Sequence, residues 1–511
     1  MEETKHARDE IKSALEVNAQ AVRAVVAAVE GTIGPKGLDT MLIDKEGNVI
    51  ITNDGATILE QMEIHHPIAR LLIHTARAQK DAVGDGTTTA TVLAGAMVEE
   101  GIRQIAKGVP VTKVTEGIAK AASYVTEVLD AMSHKEASDE ELYRLAKTAG
   151  RQNAQVADAA MCAVDVIGRD RIIGDDIRLA DWVTSEVGAE TEVTSGVTLC
   201  TGYMNHVQPI EKKCVRIAVF DDALEPMRME RDALRTEIGA QRYLLLQEEF
   251  CKGVTRLVEA GVGLVIADRG IDPMAEAILS EAGILTMARV DACEWKRLLL
   301  HTKARPLKRT MLSRPIEVWQ DALGEVEHIS RDEGKQQVRV AGGKGQPMAT
   351  IFVGAPTADL AEEKILITQD AVSAVQSALR GGWVSGGGAA EIALARALEQ
   401  KRASVCDMTG YGMDCVKRAL LEPVYQMIRN AGYHPLEKAE AVLSCQQEYK
   451  TDQYGFDCDN GNPADMKKLG VLDSALVKRQ AIKAASEVAS AILKVNAIVR
   501  MRPQTIEDRY E

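Results

Sequence analysis

The sequence predicts a multidomain protein of α and α/β parts, mainly helical at both ends of the chain and α/β in the middle. Three observations carry this. Apolar residues recur at helical spacing over residues 7–30 and again over 472–493. Short apolar runs alternate with helical stretches between about 203 and 350, the pattern of an α/β domain. The chain has 511 residues, enough for about three domains.

Composition narrows the class. The chain is 46% hydrophobic and 27% charged, ordinary for a soluble protein with real cores. Aromatics make up only 4%, so those cores are built from Ala, Val, Leu, Ile and Met. A net charge of -14 argues against nonspecific nucleic-acid binding. No run of 18 apolar residues exists, so no transmembrane helix is expected. The start, MEETKHARDEIK, is acidic and polar, unlike a signal peptide. Nine cysteines without a CxxC pair predict reduced, mostly buried thiols in a cytoplasmic protein.

Along the chain, Ile11, Leu15, Val22, Val25, Val26 and Val29 predict a helix over 7–30 that ends at Gly31. TMLI (40–43), the turn DKEGN and VIIT (49–52) predict a hairpin. Asn53-Asp54-Gly55 breaks the second strand and leads into a helix from about Ala56. His65-His66-Pro67 reads as a helix junction, and the next helix starts beyond Gly86. Helix continues to about Met132, and HKEASDEE is a loop and a helix start.

CVRIAVF (214–220), VGLVIAD (262–268) and ILTMARV (284–290) read as strands, separated by helices over about 247–260 and 273–282. The stretch 223–246 lies between the first strand and its helix. It far exceeds the roughly 2–6 residues of an ordinary βα connection. It is charged but carries Leu224, Met227, Met229, Leu234 and Ile238. A partly helical protrusion and an ordinary longer helix packed on its own domain are its two readings. AGGKGQP (341–347) is treated as a loop. From about 356 the chain is helical again: DAVSAVQSAL (370–379) ends at Arg380-Gly381-Gly382, and SGGG (385–388) precedes another helix. The last helix has a cap candidate at Asp473 or Ser474, and KVNAIVRM (494–501) reads as a closing strand.

Four glycine-containing segments interrupt these elements: TIGPKG (32–37), NDG (53–55), GDGTTT (84–89) and SGGG (385–388). None is a Walker motif or a G-x-G-x-x-G after a strand. GDGTTT has a bland reading, a helix start with a threonine N-cap. It also has a functional one, a phosphate cradle at a helix N-terminus. Asp85 would repel phosphate there unless a divalent cation lies between them. Mg²⁺ takes one or two carboxylates plus substrate phosphates, and the hydroxyls of Thr87, Thr88 and Thr89 would then hold phosphate oxygens. Asp54 and Asp370 each read either as a helix cap or as an acid facing the same phosphates. Hydrolysis of a phosphoanhydride calls for a metal and an oriented water, hence for two or three convergent acids.

Taken together, TIGPKGLDTMLID, ITNDGATIL, AVGDGTTTATVLAG, SGGGAAEIALARAL and GVLDSALVKRQAIKAASEVASAIL resemble the motifs of chaperonins, in order and over nearly the whole chain. ALEPMRMERDALRTEI and GLVIADRGIDPMAEAIL resemble the group II, thermosome-like class, with a divergent bacterial, group III branch as a natural home. That resemblance favours the protrusion reading of 223–246, as a built-in helical lid. It implies a nested architecture. A mainly helical equatorial ATPase domain joins 1–134 to 387–511. A small α/β intermediate domain joins 135–202 to 351–386. An α/β apical domain with the protrusion spans 203–350.

The resemblance also implies roles. Thr32, Ile33, Gly34, Pro35 and Asn53 would line the nucleotide, Asp85 would bind Mg²⁺, and Gly86 through Thr89 would cradle phosphates. Gly387 would approach the nucleotide closely and Asp473 its ribose end, while Asp54 and Asp370 would orient or activate the attacking water. Asp370 would reach the phosphate only when its domain closes. The implied cofactors are ATP/ADP and Mg²⁺, with K⁺ a further candidate. The implied partners are non-native protein clients and further subunits, in two stacked rings of eight, with no separate lid protein. The hairpin 40–52 and the terminal strand would pair between or within subunits.

There is one departure. The A-x-T-S-x-x-x-K stretch of group II members, whose Lys senses the γ-phosphate, corresponds here to AKTAGRQN (146–153). Asn153 stands where Lys is expected, and Arg151 is a nearby candidate substitute. Two rivals stay open: a metabolic Mg-dependent ATPase or phosphotransferase, and a ring scaffold with impaired ATPase.

Overall fold

The computed structural model describes residues 2–45, 47, 49–174, 177–200, 202–205, 211–227, 236–332, 335 and 337–496. The chain forms two compact units. One comprises Met1–Met161, Ile172–Ala180 and Pro356–Glu511; the other comprises Cys162–Arg171 and Asp181–Ala355.

The first unit opens with α1 (Glu2–Val29), the hairpin β1 (Thr40–Ile43) and β2 (Val49–Thr52), and α2 (Gly55–Gln61). The hairpin pairs as the sequence predicts, Thr40 opposite Thr52 and Ile43 opposite Val49. Among the described residues it pairs with no further strand, and Met41, Ile43, Val49 and Ile51 are each more than half exposed. Then come α3 (Pro67–Val83), α4 (Thr87–Ala106), α5 (Val111–Met132), α6 (Asp139–Ala149) and the first half of α7 (Ala154–Ile167), which enters the second unit after Met161. The sequence reading passed over α3, although it placed a junction at its start. There His66 Nδ1 accepts from the Ile68 amide at 3.3 Å, with Pro67 at the first helical position.

The second unit carries α8 (Arg169–Ile172) and the strands β3 (Val183–Val187), β4 (Glu192–Ser195), β5 (Val197–Leu199), β6 (Tyr203–Met204) and β7 (Glu211–Phe220). α9 (Glu237–Glu259), β8 (Val262–Ala267), α10 (Pro273–Glu281), β9 (Leu285–Ala288), α11 (Ala292–Thr302) and α12 (Ile316–Trp319) follow. β10 (Gly324–Asp332), β11 (Gln337–Gly343) and β12 (Ala349–Ala355) complete it. A seven-stranded sheet runs β5-β11-β10-β7-β8-β9-β6. Its β7-β8-β9 segment is parallel, as strands joined through helices must be. Phe220, Val254, Leu257, Val265, Leu279 and Trp319 belong to the core between sheet and helices. β3, β12 and β4 form a second, three-stranded sheet.

The chain returns to the first unit with α13 (Ala358–Gly381), β13 (Trp383–Ser385), α14 (Ala389–Ala403), α15 (Gly410–Asn430) and α16 (Pro435–Glu448). It closes with β14 (Tyr454–Asp457), β15 (Asn462–Asp465), α17 (Met466–Leu469), β16 (Leu472–Ser474) and α18 (Ala475–Leu493). One large apolar core, including Val25, Leu72, Met97, Ile118, Val416 and Ile482, ties α1, α3, α4, α5, α15 and α18 together. It is almost free of aromatics, as the composition requires.

Three expectations change. The helix expected from 247 begins at Glu237, so the second half of the 223–246 stretch is the first half of α9. Thr236 caps it by accepting from the Gly239 amide at 3.1 Å. Met229 and Leu234 lie outside the described residues, as does the closing strand beyond residue 496. The first residues of AGGKGQP belong to β11, whose register against β10 runs to Gly343. The nine cysteines are all free, but only Cys415 and Cys458 are buried, and Cys162, Cys214, Cys293 and Cys406 are exposed. These four lie on the outward faces of their elements or in loops, where a small thiol gains nothing from burial. No helix among the described residues is long and apolar enough to cross a membrane.

Candidate active site

Asp54 is the N-cap of α2. Its carboxylate accepts from the amides of Ala56 and Thr57 at 3.2 and 3.1 Å and from the Thr57 hydroxyl at 2.7 Å. The cap reading therefore holds, and it is not the whole account. Lys80 Nζ, from the last turn of α3, lies 3.0 Å from Asp54 Oδ2. Burial alone would raise this carboxyl. The Lys80 charge and the Thr57 hydrogen bonds outweigh that and hold it below its ordinary value.

Asp85 sits on the turn between α3 and α4, flanked by Gly84 and Gly86 with φ of 77° and 78°. That left-handed conformation favours glycine, and close packing demands it as well. A Cβ on Gly84 would lie 2.2 Å from the Ser373 hydroxyl of α13, and one on Gly86 would lie 2.6 Å from Val477 of α18. The turn is thus pressed between two later helices. Gln79 staples it, donating from Nε2 to the carbonyls of Asp85 and Val477 at 3.0 and 3.2 Å.

The N-cap of α4 is Gly86, with no side-chain cap, so the expected threonine N-cap is corrected. The glycine takes the left-handed turn that a β-branched threonine resists. No side chain occupies the first amides of this 20-residue helix, which leaves them open to an anion. Thr87 is buried, and Thr88 and Thr89 are partly exposed. Burial pushes the Asp85 carboxyl up to about 6; the Gly86 amide opposes this, and the charges of Asp473 and Asp54 add to it.

Asp370 is not a cap. α13 begins at Ala358 with Thr357 as its N-cap, so Asp370 stands in mid-helix. The charged run Glu362-Glu363-Lys364 had masked the first turns of this helix in the sequence. One turn of α13 separates Asp370 from Ser373, which packs on Gly84, so the helix delivers this acid toward the same turn. Its carboxyl is raised well above the ordinary range, by burial first and then by the charges of Asp85 and Asp54, while Lys80 and Arg151 pull the other way. In this conformation Asp370 already feels both acids.

The remaining candidates divide. Asp473 lies in β16 opposite Val384, and it is Ser474 that precedes α18. Asp473 Oδ2 is 2.8 Å from Lys478 Nζ, which also pairs with Glu391. Burial would lower the Lys478 ammonium, but the two carboxylates outweigh it and raise it. Thr32, Ile33, Gly34 and Pro35 form a separate loop. Asn430 anchors it, donating from Nδ2 to the carbonyls of Glu30 and Ile33 at 3.1 and 2.9 Å. Gly387, at φ 60°, accepts the Phe456 amide at 2.8 Å. Asn53 Oδ1 is buried without a partner among the described residues. Asn153 caps α7, accepting from the Gln155 amide at 3.0 Å. Arg151, at φ 52°, is 3.3 Å from Glu363.

Sequence reasoning missed Gln79, Lys80, Asn430 and the Lys478–Glu391 pair. Only Lys80 carried a signal, as a cation in the helical turn just before GDG. A separate cavity of about 560 Å³, walled by Glu100, Arg396, Glu399, Lys417 and Tyr425, contains none of the site residues.

The donors fit Mg²⁺ in kind. They are carboxylate oxygens, with no thiol or imidazole among them. Among the described residues no three His, Cys, Asp or Glu side chains form a cage of their own. Mg²⁺ does not need one where phosphates supply the other ligands. The raised carboxyls of Asp85 and Asp370 and the orphaned Asn53 oxygen are what a bound cation and its water ligands would relieve.

Comparison with known proteins finds relatives over nearly the whole chain. Residues 25–503 match the model of the TCP-1/cpn60 chaperonin family. A thermosome subunit of Pyrococcus abyssi is 31% identical over 507 residues, covering 96% of this chain and 91% of the relative. A thermosome subunit alpha of Archaeoglobus fulgidus is 31% identical over 515 residues, covering 96% and 92%. The crystal structure of a group III chaperonin in the open state superposes with a TM-score of 0.85 at 38% identity, covering 96% of this chain and 100% of that one. Motif order, fold and site geometry converge on one assignment: the chain belongs to the TCP-1/cpn60 chaperonin family.

Proposed function

We propose that this chain is the subunit of an ATP-driven folding chamber with a built-in lid. The observation that carries the reading is the gathering of Asp54, Asp85 and Asp370 over the uncapped start of α4. Burial and neighbouring carboxylates raise the carboxyls of Asp85 and Asp370, a penalty that a bound cation would offset. Bound Mg²⁺, held by Asp85, would neutralise charge on the phosphates. The α4 amides and Thr87 to Thr89 would hold phosphate oxygens. Asp54 and Asp370 would orient a water for attack on the terminal phosphorus, with the bond to the bridging oxygen breaking to release ADP and phosphate. Thr32 to Pro35, Asn53, Gly387 and Asp473 would frame the rest of the nucleotide.

We retain the three-part nesting of equatorial, intermediate and apical domains, with Asp370 in the intermediate part coupling hydrolysis to domain movement. The 223–246 stretch would form the lid. Met227, Ile238, Leu244 and Leu245 there are 59–80% exposed, a surface suited to non-native clients. A two-stranded hairpin as exposed as β1–β2 is marginal in water. Pairing with terminal segments of a neighbouring subunit would complete its sheet and build the ring.

The test joins assembly to chemistry. Electron microscopy of the purified protein is expected to show a large double ring. ATP turnover is expected to fall at least about 100-fold in Asp370→Ala, with nucleotide binding retained. A monomer would overturn the chamber, and unchanged turnover would remove Asp370 from its role.

A further inference from the structure

Three basic side chains act on the acid cluster: Lys478, Arg151 and Lys80. They are not equally free to move. Lys478 is buried between Asp473 and Glu391. Losing either partner would leave an uncompensated carboxylate in a buried place. Arg151 is as exposed as Lys80, at 33%, but its partner at 3.3 Å is Glu363, about two turns of α13 from Asp370 and outside the acid cluster. Lys80 has one carboxylate partner, Asp54 at 3.0 Å, and its side chain is 30% exposed against 9% for Asp54. Its charge acts on both Asp54 and Asp370.

Lys80 has an anchored backbone and, among the described residues, an ammonium held by a single ion pair. Its carbonyl accepts from the Gly84 amide at 2.9 Å and from Arg178 Nη2 at 2.7 Å. The first bond closes α3 onto the glycine-aspartate turn. The ammonium therefore rides on a flexible four-carbon stem from a point fixed beside the turn. Of the three cations, it alone among the described residues pairs directly with one of Asp54, Asp85 and Asp370.

We propose that Lys80 is a phosphate-contacting residue of this site: its ammonium leaves Asp54 for the terminal phosphate of a nucleoside triphosphate. The proposal rests on the ATPase reading above. A terminal phosphate brings anionic oxygens beside Asp54, Asp85 and Asp370. Lys80 turns toward the larger charge and keeps its proton throughout. Asp54, relieved of its ion pair, gains a lone pair with which to accept a hydrogen bond from the attacking water. A diphosphate brings no terminal group, so Lys80 stays on Asp54. The lysine thereby lets the site distinguish triphosphate from diphosphate, and it arms Asp54 only when there is something to cleave.

The test measures binding on the purified full-length chain with Mg²⁺, using a non-hydrolysable ATP analogue and ADP. Lys80→Met is expected to weaken the analogue about tenfold, the scale of one charge-assisted hydrogen bond, and to leave ADP within about twofold. Lys80→Arg is expected to retain most of the preference. Lys80→Gln, which keeps a hydrogen bond to Asp54 without the charge, carries the same comparison should Lys80→Met fail to fold, and is expected to behave like it. Equal weakening of both nucleotides, or no weakening of the analogue, overturns the proposal. A wild-type chain that binds neither nucleotide overturns the site itself and the lysine's role with it.

Discussion

The turn around Asp85 and the first half of α9 are opposites in chemistry and alike in logic. Around Asp85, acids are crowded together and two carboxyls are driven up by burial and by neighbouring carboxylates. Along α9, Ile238, Leu244 and Leu245 stand in water at 80%, 59% and 60% exposure. Each region leaves unsatisfied what the rest of the molecule satisfies. Clustered acids need a cation, and exposed apolar side chains need an apolar partner. Neither arrangement stabilises the isolated chain, which is how functional surfaces tend to differ from structural ones. The two also differ in rigidity of placement. The acid turn is clamped by Gln79, Ser373 and Val477, whereas Ile238, Leu244 and Leu245 of α9 are open to solvent. A phosphate site demands fixed geometry, and a surface for varied clients does not.

Three changes would break or sharpen that comparison. The largest effect is expected from Asp85→Asn. It removes the carboxylate assigned to Mg²⁺ and should lower ATP turnover by about three orders of magnitude, the loss expected for one essential electrostatic element. Excess Mg²⁺ should not restore it, and a steady-state ATPase assay with Mg²⁺ titration checks this. Near-normal turnover would mean that the raised carboxyl has a purely structural cause.

A smaller effect is expected at the other pole. The double change Leu244→Glu with Leu245→Glu should reduce capture of a denatured client several-fold, read as suppression of its aggregation, and leave basal ATP turnover unchanged. Loss of both activities together would show that the exposed leucines support the fold.

The smallest effect concerns pH. Asp370 is raised above its unfolded value near 3.8. Its contribution to stability is present at low pH and is lost as pH rises through the raised value. Asp370→Asn keeps the shape without the charge. It should raise the thermal midpoint of the nucleotide-free protein by a few degrees at pH 7.5, and the gain should shrink as pH falls. Melting curves of both proteins across pH 5–7.5 check this. A difference independent of pH would mean that the carboxyl is not held near its neutral form.

Much of the site was legible in the sequence because it lies on local punctuation. NDG and GDG interrupt helices or strands at positions that only glycine and short polar residues serve, and a hairpin turn separates two apolar runs of equal length. The exceptions have a common cause. The Asp54 cap and its Lys80 partner are 26 residues apart in sequence, and no periodic pattern links them. A cap stayed open as one of the two readings of Asp370 because the charged run 362–364 hid the first turns of α13. Gln79 and Asn430 act through backbone carbonyls, and Asn430 does so some 400 residues away; such bonds leave no trace in the identity of their acceptors.

By itself, the sequence determined the alternation of helical and α/β parts, the positions of the glycine turns and the identity of the acids. Those depend on propensity and spacing within a few residues of one another. Only the tertiary structure decided which acids meet, which cation is locked and which can move, and that α13 and α18 press on the Asp85 turn. Those outcomes depend on charges and surfaces brought together from distant parts of the chain. Coulombic and packing energies follow distance in space, and distance along the chain does not set it.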